Sequence, residues 1–244
     1  MGNDLIILVL DSDVEEIYKI SKEAWRINAQ AHNAKIFFLN SNRSITNDTL
    51  VVEGDTIHTK WINNFHHGLN DKNIKGIRYC VENFDFKYIL RTNLSSFFRI
   101  DLLNKYLQNT NPTNLYTGSI EHFPIAQQNG VVQYLSFCSG SGFIISSDLA
   151  GKVVNNSFNI SYDYIDDVWM GLALLDIPRT PFKRVDFCDI DSINKANFVV
   201  IQERLKEAEK NGVFHFRVNN KFLQKREVLD GWVLMAILNR TLGW

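Results

Sequence analysis

The pattern of hydrophobic and polar positions at the start of the chain predicts a strand, a helix and a second strand. The apolar run Leu5–Leu10 has the length of a strand that is buried in a parallel sheet. It ends at Asp11-Ser12-Asp13, and apolar residues at helical spacing follow over Val14–Ala31, with Asp13 placed to cap that helix. Lys35–Leu39 is the second predicted strand. This order is typical of a parallel βαβ unit with a right-handed crossover.

The rest of the chain continues this alternation and shows no linker or repeat. Glycines and prolines, including Pro112, Gly118, Pro124 and Gly130, indicate loops in the second half. We therefore predict an α/β fold, a single domain with a mainly parallel central sheet flanked by helices. The further predicted strands are Leu50–Val52, Thr56–Ile57, Tyr88–Leu90, Leu115–Thr117, Val131–Leu135 and Val213–Phe216, and the further helices are within Trp61–Phe84, Ile100–Leu107, Ile165–Leu175 and about Lys221–Asn239.

Composition and charge are those of an ordinary globular protein and exclude several function classes. The chain has 244 residues, of which 45% are hydrophobic and 22% charged. Its 26 basic and 27 acidic residues give a net charge of −1, without the basic excess of a nucleic-acid-binding protein. Three cysteines without CxxC spacing predict neither a zinc site nor a disulfide framework. No apolar run reaches the roughly 18 residues of a membrane span.

Two stretches in the second half carry the strongest candidate chemistry. They are CSGSGFIISSDLA, residues 138–150, and YIDDVWMGLAL, residues 164–174. Both resemble motifs of the β-1,3-galactosyltransferases (family 31 glycosyltransferases, GT-A fold): a C-S-G-x-G-[YF] loop, an S-x-D-[LV]-A helix start and a later E-D-V-[YFW]-x-G-L. A weaker match is KNIKGIRY, residues 72–79, which stands where the family has a helix that begins with lysine. The resemblance implies a single GT-A (Rossmann-like) domain.

The acidic pair Asp166-Asp167 opens a predicted helix. Taken alone, such a pair is favoured by the helix dipole and can be purely structural. Two adjacent carboxylates also point in different directions, so that one can be fixed by hydrogen bonds while the other faces an acceptor hydroxyl as a general base. The resemblance assigns the base to Asp167, and it places Asp166, where the family has glutamate, in a supporting role.

The glycine loop contains Ser139, Gly140, Ser141 and Gly142. Glycine is favoured where the backbone must pass close to a ligand, although the same residues also suit a simple β-turn. The resemblance implies that this loop lines the pocket for the acceptor and the donor sugar.

A departure from the family pattern occurs in YILRTNLSSFF, residues 88–98. Arg91-Thr92-Asn93-Leu94-Ser95 lies where the family has [KR]-x-D-x-D, so that Asn93 and Ser95 replace two carboxylates. Neutral oxygens bind Mn²⁺ or Mg²⁺ more weakly than carboxylates do. Weak metal binding, stabilisation of the leaving diphosphate by cations alone, loss of catalysis and a simple turn all remain open. We expect a metal that is weakly bound or not required, with Asn93 and Ser95 hydrogen-bonded to the donor.

Other residues are candidates for binding a nucleotide donor. His215 and Arg217 alternate onto one face of the last predicted strand. The resemblance makes His215 a candidate metal ligand, although a strand histidine is also commonly structural. Arg91 and Arg217 are candidates for the diphosphate, because guanidinium matches phosphate oxygens. Asp11 follows the first strand, where α/β sheets bind nucleotides, and Lys72 begins the matched helix.

These motifs predict an inverting glycosyltransferase that moves a sugar from a UDP-hexose or UDP-N-acetylhexosamine to a hydroxyl group of a glycan or glycolipid. Residues 1–110 would form the nucleotide-binding half and residues 111–244 the acceptor and catalytic half of one domain. The alternatives are a retaining GT-A transferase and a non-catalytic sugar- or nucleotide-binding module that has lost the metal motif. The presence of Asp167 argues against the module, since a binder needs no base.

The C-terminal helix has apolar and basic residues on different faces. Packing against the domain is its expected role, and peripheral contact with a membrane surface is the alternative. The cysteine usage favours a reducing compartment. We expect a cytoplasmic location, in a bacterial or virus-infected cell, and no nucleic-acid partner.

Overall fold

A computed structural model of the chain describes residues 4–12, 16–62, 64–128, 131–159, 162–190, 192, 194–220 and 226–243. Its contacts form two compact units, and each unit is assembled from three segments. Both units draw on both predicted halves, and the organisation as one domain stays a prediction. Unit 1 comprises Met1–Asp11, Lys35–Asn93 and Asn111–Pro181, and unit 2 comprises Ser12–Ala34, Leu94–Thr110 and Phe182–Trp244.

The strands and helices alternate along much of the chain. The strands are β1 (Leu5–Leu10), β2 (Lys35–Asn42), β3 (Val51–Glu53), β4 (Thr56–Lys60), β5 (Tyr88–Asn93), β6 (Ser96–Phe98), β7 (Tyr116–Gln128), β8 (Val131–Ser146), β9 (Arg179–Pro181), β10 (Arg184–Phe187) and β11 (His215–Val218). The helices are α1 (Ile17–Ala31), α2 (Phe65–Asn83), α3 (Ile100–Gln108), α4 (Ser147–Asn155), α5 (Asp166–Ala173), α6 (Lys195–Lys210) and α7 (Arg226–Leu242).

Unit 1 is built on an eight-stranded sheet in the order β3-β4-β2-β1-β5-β8-β7-β9. Parallel pairing joins β4, β2, β1 and β5 at its centre, and β8 pairs antiparallel with both β5 and β7. Helices α2, α4 and α5 contribute to one core with these strands. The predicted α/β fold with a mainly parallel central sheet is confirmed.

The centre of the sheet brings polar residues to one edge. Ile6, Ile7, Leu8 and Val9 are fully buried, which explains the unbroken apolar run of β1. In the parallel register with β5, Leu10 lies opposite Asn93, and Asp11 follows Leu10. The carboxyl ends of β1 and β5 therefore present Asp11 and Asn93 at the same edge, where α/β sheets bind ligands.

The predicted loops at Gly118 and Pro124 are wrong, because both residues lie within β7, which pairs with β8 over a long antiparallel ladder. The predicted loop at Gly130 lies outside the described residues. Strand β8 runs through the predicted glycine loop. Gly118 pairs with Phe143 whereas Ile120 pairs with Cys138, so that residues 139–142 form a bulge in β8. Pro124 lies at a second irregularity of the ladder, where a missing N–H costs little.

Unit 2 has a three-stranded sheet in the order β10-β11-β6, together with α1, α3, α6 and α7. Helix α1 is anchored by side chains that donate to β6 carbonyls, Trp25 Nε1 to Ser96 at 3.2 Å and Asn28 Nδ2 to Phe98 at 2.7 Å. Gly231 of α7 packs against Ile17 and Ile20 of α1, whose methyl carbons lie 3.6–3.9 Å from the place that a Cβ on Gly231 would take. The apolar face of α7 is thus packed within its own unit, as expected.

Two predicted boundaries fall on residues outside the described ranges, namely the cap at Asp13 and the start of the last helix at Lys221. Of the helices that the structure describes, none combines the length and the hydropathy needed to cross a bilayer.

Candidate active site

The acidic pair lies at the start of α5 in unit 1. Asp166 is 3% exposed and Asp167 is 7% exposed. Both are in the first turn of the helix, where the dipole favours negative charge. Burying two adjacent carboxylates is nevertheless costly unless partners compensate them. The surrounding residues must therefore supply hydrogen bonds and positive charge.

Asp166 is held by residues of two other elements. Its Oδ2 forms an ion pair with Nη2 of Arg91 in β5 and accepts a hydrogen bond from Asn73 Nδ2 of α2 at 3.3 Å. Arg91 is only 1% exposed, and its Nη1 donates to the carbonyl of Gly140. The guanidinium thus neutralises Asp166 and holds the β8 bulge. Contact between Arg91 and a diphosphate stays a prediction, and this burial favours a positioning role instead.

Asp167 is held by backbone groups. Its Oδ2 accepts a hydrogen bond from the Gly140 N–H at 2.6 Å, and its Oδ1 accepts one from the Val168 N–H at 2.9 Å. Burial raises the pKa of the Asp167 carboxyl to about 6, and the charge of Asp166 adds to the rise, whereas Arg91 and both backbone donors oppose it. A carboxylate with this pKa is suited to accept a proton near neutral pH.

The β8 bulge is fixed by hydrogen bonds from β5. The Gly140 carbonyl accepts from Asn93 Nδ2 at 3.0 Å, and the Ser141 carbonyl accepts from Thr92 Oγ1 at 2.8 Å. The hydroxyl of Ser141 donates to that of Ser139 at 3.3 Å, and both serines are buried. A Cβ on Gly140 would lie 2.7 Å from Asp167 Oδ2 and 3.0 Å from Arg91 Nη1. Glycine is therefore needed here for close approach to the two charged side chains.

Two other predicted donor-site residues also meet in unit 1. Lys72 Nζ of α2 donates to the carbonyl of Asp11 at 3.1 Å, at the end of β1. Asp11 in turn donates its backbone N–H to the Leu39 carbonyl at 3.0 Å. Asp11 and Lys72 therefore lie at the carboxyl ends of the central strands, the same edge as Asn93.

The remaining predicted residues belong to unit 2. The Ser95 carbonyl accepts from the Val218 N–H at 2.8 Å, and Arg217 is half-buried in β11. His215 is fully buried, stacked on Phe98 with ring centroids 4.2 Å apart and edge-on to Phe182 at 5.6 Å. This aromatic packing is typical of a structural histidine. The role of His215 as a metal ligand stays a prediction.

Sequence reasoning missed Asn70, Asn73 and Thr92. Asn70 and Asn73 are one turn apart in α2, fully buried, and donate to the Tyr164 carbonyl at 2.9 Å and to Asp166. A usable signal exists, since two asparagines interrupt the apolar face that Ile74 and Ile77 continue. That pattern indicates that the two asparagine side chains form buried hydrogen bonds, but it does not indicate which residues accept them.

The donor set does not fit a tightly bound divalent cation. Asn93 and Ser95 offer neutral oxygens, and Asn93 already donates to the Gly140 carbonyl. Asp166 and Asp167 are engaged by Arg91, Asn73 and backbone N–H groups. Within the described ranges, no three His, Cys, Asp or Glu side chains are grouped so as to hold a metal ion. Carboxylates are the ligands that Mn²⁺ and Mg²⁺ prefer, and those of Asp166 and Asp167 are engaged by protein groups.

The fold is that of a glycosyltransferase of known structure. A crystal structure described as a glycosyltransferase involved in the glycosylation of the major capsid of PBCV-1 superposes with a TM-score of 0.52. The superposition covers 95% of this chain and 98% of that one at 10% sequence identity, so it supports the fold alone.

The family follows from the sequence comparison. The model of the Galactosyltransferase family matches residues 43–181, more than half of the chain, and the chain belongs to this family. Beta-1,3-galactosyltransferase 5 of Pan paniscus is 26% identical over 196 residues, which are 70% of this chain and 64% of that protein. Beta-1,3-galactosyltransferase 1 of Mus musculus is 28% identical over 209 residues, 75% of this chain and 63% of that protein. The chain therefore spans somewhat less than two thirds of these relatives, and the resemblance found in the motifs is confirmed.

Proposed function

We propose that the chain is an inverting glycosyltransferase that transfers a sugar from a UDP-hexose or UDP-N-acetylhexosamine to a hydroxyl group of a glycan or glycolipid. Membership of the Galactosyltransferase family supports glycosyl transfer in general. The observation that carries the proposal is the state of Asp167. It is a buried carboxylate, positioned by two backbone N–H groups, with a pKa raised to about 6.

In the proposed reaction, Asp167 accepts the proton of the acceptor hydroxyl. The acceptor oxygen forms a bond to the anomeric carbon while the bond from that carbon to the β-phosphate oxygen breaks, and the nucleoside diphosphate departs with its electron pair. Attack opposite the leaving group inverts the anomeric configuration. Arg91 and Asn73 hold Asp166, and through α5 they fix the direction of the neighbouring Asp167.

The donor would bind at the carboxyl ends of β1 and β5, where Asp11, Lys72 and Asn93 lie. The leaving diphosphate needs positive charge, and the donor set at Asn93 and Ser95 does not favour a metal. We therefore assign this charge to cationic side chains, with Lys72 as the candidate in unit 1. The role of Arg217 stays a prediction from the sequence. The resulting proposal is a transferase whose dependence on Mn²⁺ or Mg²⁺ is weak or absent.

The test is turnover of a panel of UDP-sugars with simple glycoside acceptors, with the product anomer assigned by NMR and Asp167→Asn as the control protein. An inverted product that Asp167→Asn fails to form supports the proposal. A product with retained configuration would show the retaining alternative. Calorimetric binding of UDP without turnover of any donor would show the non-catalytic module.

A further inference from the structure

The segment that enters α5 carries aromatic rings close to the acidic pair. Asn70 of α2 donates to the Tyr164 carbonyl at 2.9 Å, and Asn73 donates to Asp166 at 3.3 Å. The two asparagines are fully buried and fix this segment against α2. Rings at residues 162 and 164 are therefore held in place relative to Asp167.

The first ring is that of Tyr162, which is stacked on His67 of α2. Their centroids are 3.6 Å apart, and their planes are inclined by 29°. Tyr162 nevertheless keeps 43% of its surface exposed. A ring that is supported on one face and exposed elsewhere is a preorganised surface for stacking, because the bound ligand does not have to order it.

A second aromatic pair lies two residues further along. Tyr164 contacts Phe123 of β7 edge to face, with centroids 5.7 Å apart and planes at 90°. Tyr164 also packs on the cluster of Leu135, Phe137 and Val168, which connects it to β8 and α5. Phe123 remains 36% exposed.

Both pairs lie within reach of a substrate that touches the base. A chain spans at most about 3.6 Å per residue, so the Cα of Tyr164 is within about 11 Å, and that of Tyr162 within about 18 Å, of the Asp167 Cα. This is the scale of a short oligosaccharide. A short oligosaccharide held on these rings can therefore present a hydroxyl to Asp167.

The charges beside Tyr162 favour a neutral ligand. Burial, followed by the carboxylates of Asp71 and Asp48, raises the pKa of the Tyr162 phenol, and Lys75 opposes the shift. Lys75 forms ion pairs with both Asp71 and Asp48. Two carboxylates against one ammonium leave negative charge near the ring, which repels a phosphate. The two carboxylates and the ammonium group can instead form hydrogen bonds with sugar hydroxyls.

We propose that the stacked pair His67–Tyr162 and the pair Phe123–Tyr164 form the acceptor platform, which binds a neutral glycan by packing the C–H face of a pyranose on the exposed rings. The inference rests on the proposed function, since it takes Asp167 as the base for this acceptor. It adds the residues that bind the acceptor and the requirement that the part bound there carries no charge.

The experiment uses the full chain and two measurements. Saturation-transfer NMR measures direct binding of methyl β-glycosides of glucose, galactose, N-acetylglucosamine and N-acetylgalactosamine, and steady-state kinetics measures KM for acceptor and donor separately. The variants are Tyr162→Ala, Phe123→Ala and Tyr162→Phe. The matched control is Phe158→Ala, which removes a ring that is 81% exposed. The neighbouring Ser157 accepts a hydrogen bond from Arg78. Arg78 lies about 16 Å along α2 from His67, so Phe158 is next to the other part of this helix.

Tyr162→Ala and Phe123→Ala should each raise acceptor KM about tenfold and weaken the NMR signal, with donor KM and UDP binding unchanged. Phe158→Ala should stay within about twofold of wild type, because it keeps the exposed rings of Tyr162 and Phe123. Tyr162→Phe should have a lower acceptor KM than Tyr162→Ala, because it keeps the ring on which the sugar packs. The platform would be overturned if both alanine variants kept the acceptor KM of the wild type. It would also be overturned if they lost UDP binding rather than acceptor binding. If the wild type transfers no sugar, the proposed function fails while the NMR still decides the platform. The platform is supported if the wild type binds a glycoside and Tyr162→Ala does not. The platform is overturned if the wild type binds no glycoside.

Discussion

Gly140 connects the two carboxylates of the site through its backbone N–H and its backbone carbonyl. Its N–H donates to Asp167 Oδ2 at 2.6 Å, and its carbonyl accepts from Arg91, which pairs with Asp166. Because Asp166 and Asp167 are adjacent in the chain, these contacts close a ring that includes β5, β8 and α5. The position of the proposed base is therefore set by backbone geometry as well as by its own helix.

Asp167→Asn should reduce turnover by about 10²-fold or more, since a positioned general base contributes on this scale. Binding of UDP, measured by calorimetry, should remain close to wild type. The control is Asp176→Asn, which makes the same change at an exposed carboxylate that pairs with Lys152. Turnover by Asp167→Asn close to that of the control would remove Asp167 from the mechanism.

The pH dependence of kcat/KM should follow the ionisation of Asp167. The base acts only when ionised, so activity should fall as the pH decreases through about 6. Asp166→Asn removes a neighbouring negative charge and should move this acidic limb to lower pH. A limb that stays in place or moves upwards in Asp166→Asn would contradict the assignment.

The same burial predicts an effect on folding stability. The pKa of Asp167 is raised from 3.8 to about 6, so the folded state binds its proton more tightly than the unfolded state does. Protonation of Asp167 therefore contributes to the free energy of unfolding, with an upper limit of about 3 kcal/mol. The contribution is fully present below about pH 4 and is lost as the pH rises through about 6. Urea unfolding should therefore show Asp167→Asn gaining stability relative to wild type between pH 4 and pH 8. A constant difference between the two proteins would show that Asp167 is not destabilised by burial.

Gly140→Ala should lower turnover while the protein stays folded. The new Cβ would lie 2.7 Å from Asp167 Oδ2 and 3.0 Å from Arg91 Nη1, so both side chains must shift. We expect a loss of stability of about 1–3 kcal/mol, as for other overpacked sites. Gly151→Ala is the matched control, because a Cβ there meets no atom within 4 Å. Equal activities of the two variants, after correction for the folded fraction, would show that the approach of Gly140 does not position the base.

Removal of divalent metal should leave at least part of the activity. The positions of the two family carboxylates hold Asn93 and Ser95, and Asp166 and Asp167 are engaged by Arg91 and the Gly140 N–H. We expect Arg217→Ala to reduce turnover more than excess EDTA does. Abolition of turnover by EDTA, with recovery at micromolar Mn²⁺, would mean that other groups complete a metal site.

Strand β1 could be predicted closely because its burial is nearly complete on both faces. The unbroken apolar run Leu5–Leu10 gave the bounds of β1, because every side chain of a central parallel strand is covered. The β7–β8 hairpin could not be predicted, since the serines and glycines of residues 138–142 suggest a loop. Helix α6 was missed because Phe198, Val199 and Val200 are exposed and disturb its amphipathic pattern.

The candidate site likewise has residues that the sequence could predict and contacts that it could not. The motif resemblance led to Asp166, Asp167 and Gly140, and the structure brings these residues together. The partner of Arg91 could not be read from the sequence, because an ion pair between β5 and α5 depends on the three-dimensional register of strand and helix. The aromatic packing of His215 has no local signal either, since Phe98 and Phe182 are distant from it in the chain.

The division of each unit into three chain segments also bears on synthesis at the ribosome. Unit 1 needs residues as far apart as Met1 and Pro181, and unit 2 needs Phe182–Trp244 in addition to two earlier segments. A nascent chain that stops near residue 110 contains parts of both units and the whole of neither. Strand β5 would then lack β8 and present an unpaired apolar edge of the kind that associates with other chains. Truncated forms of this protein should therefore depend on chaperones far more than the full chain does.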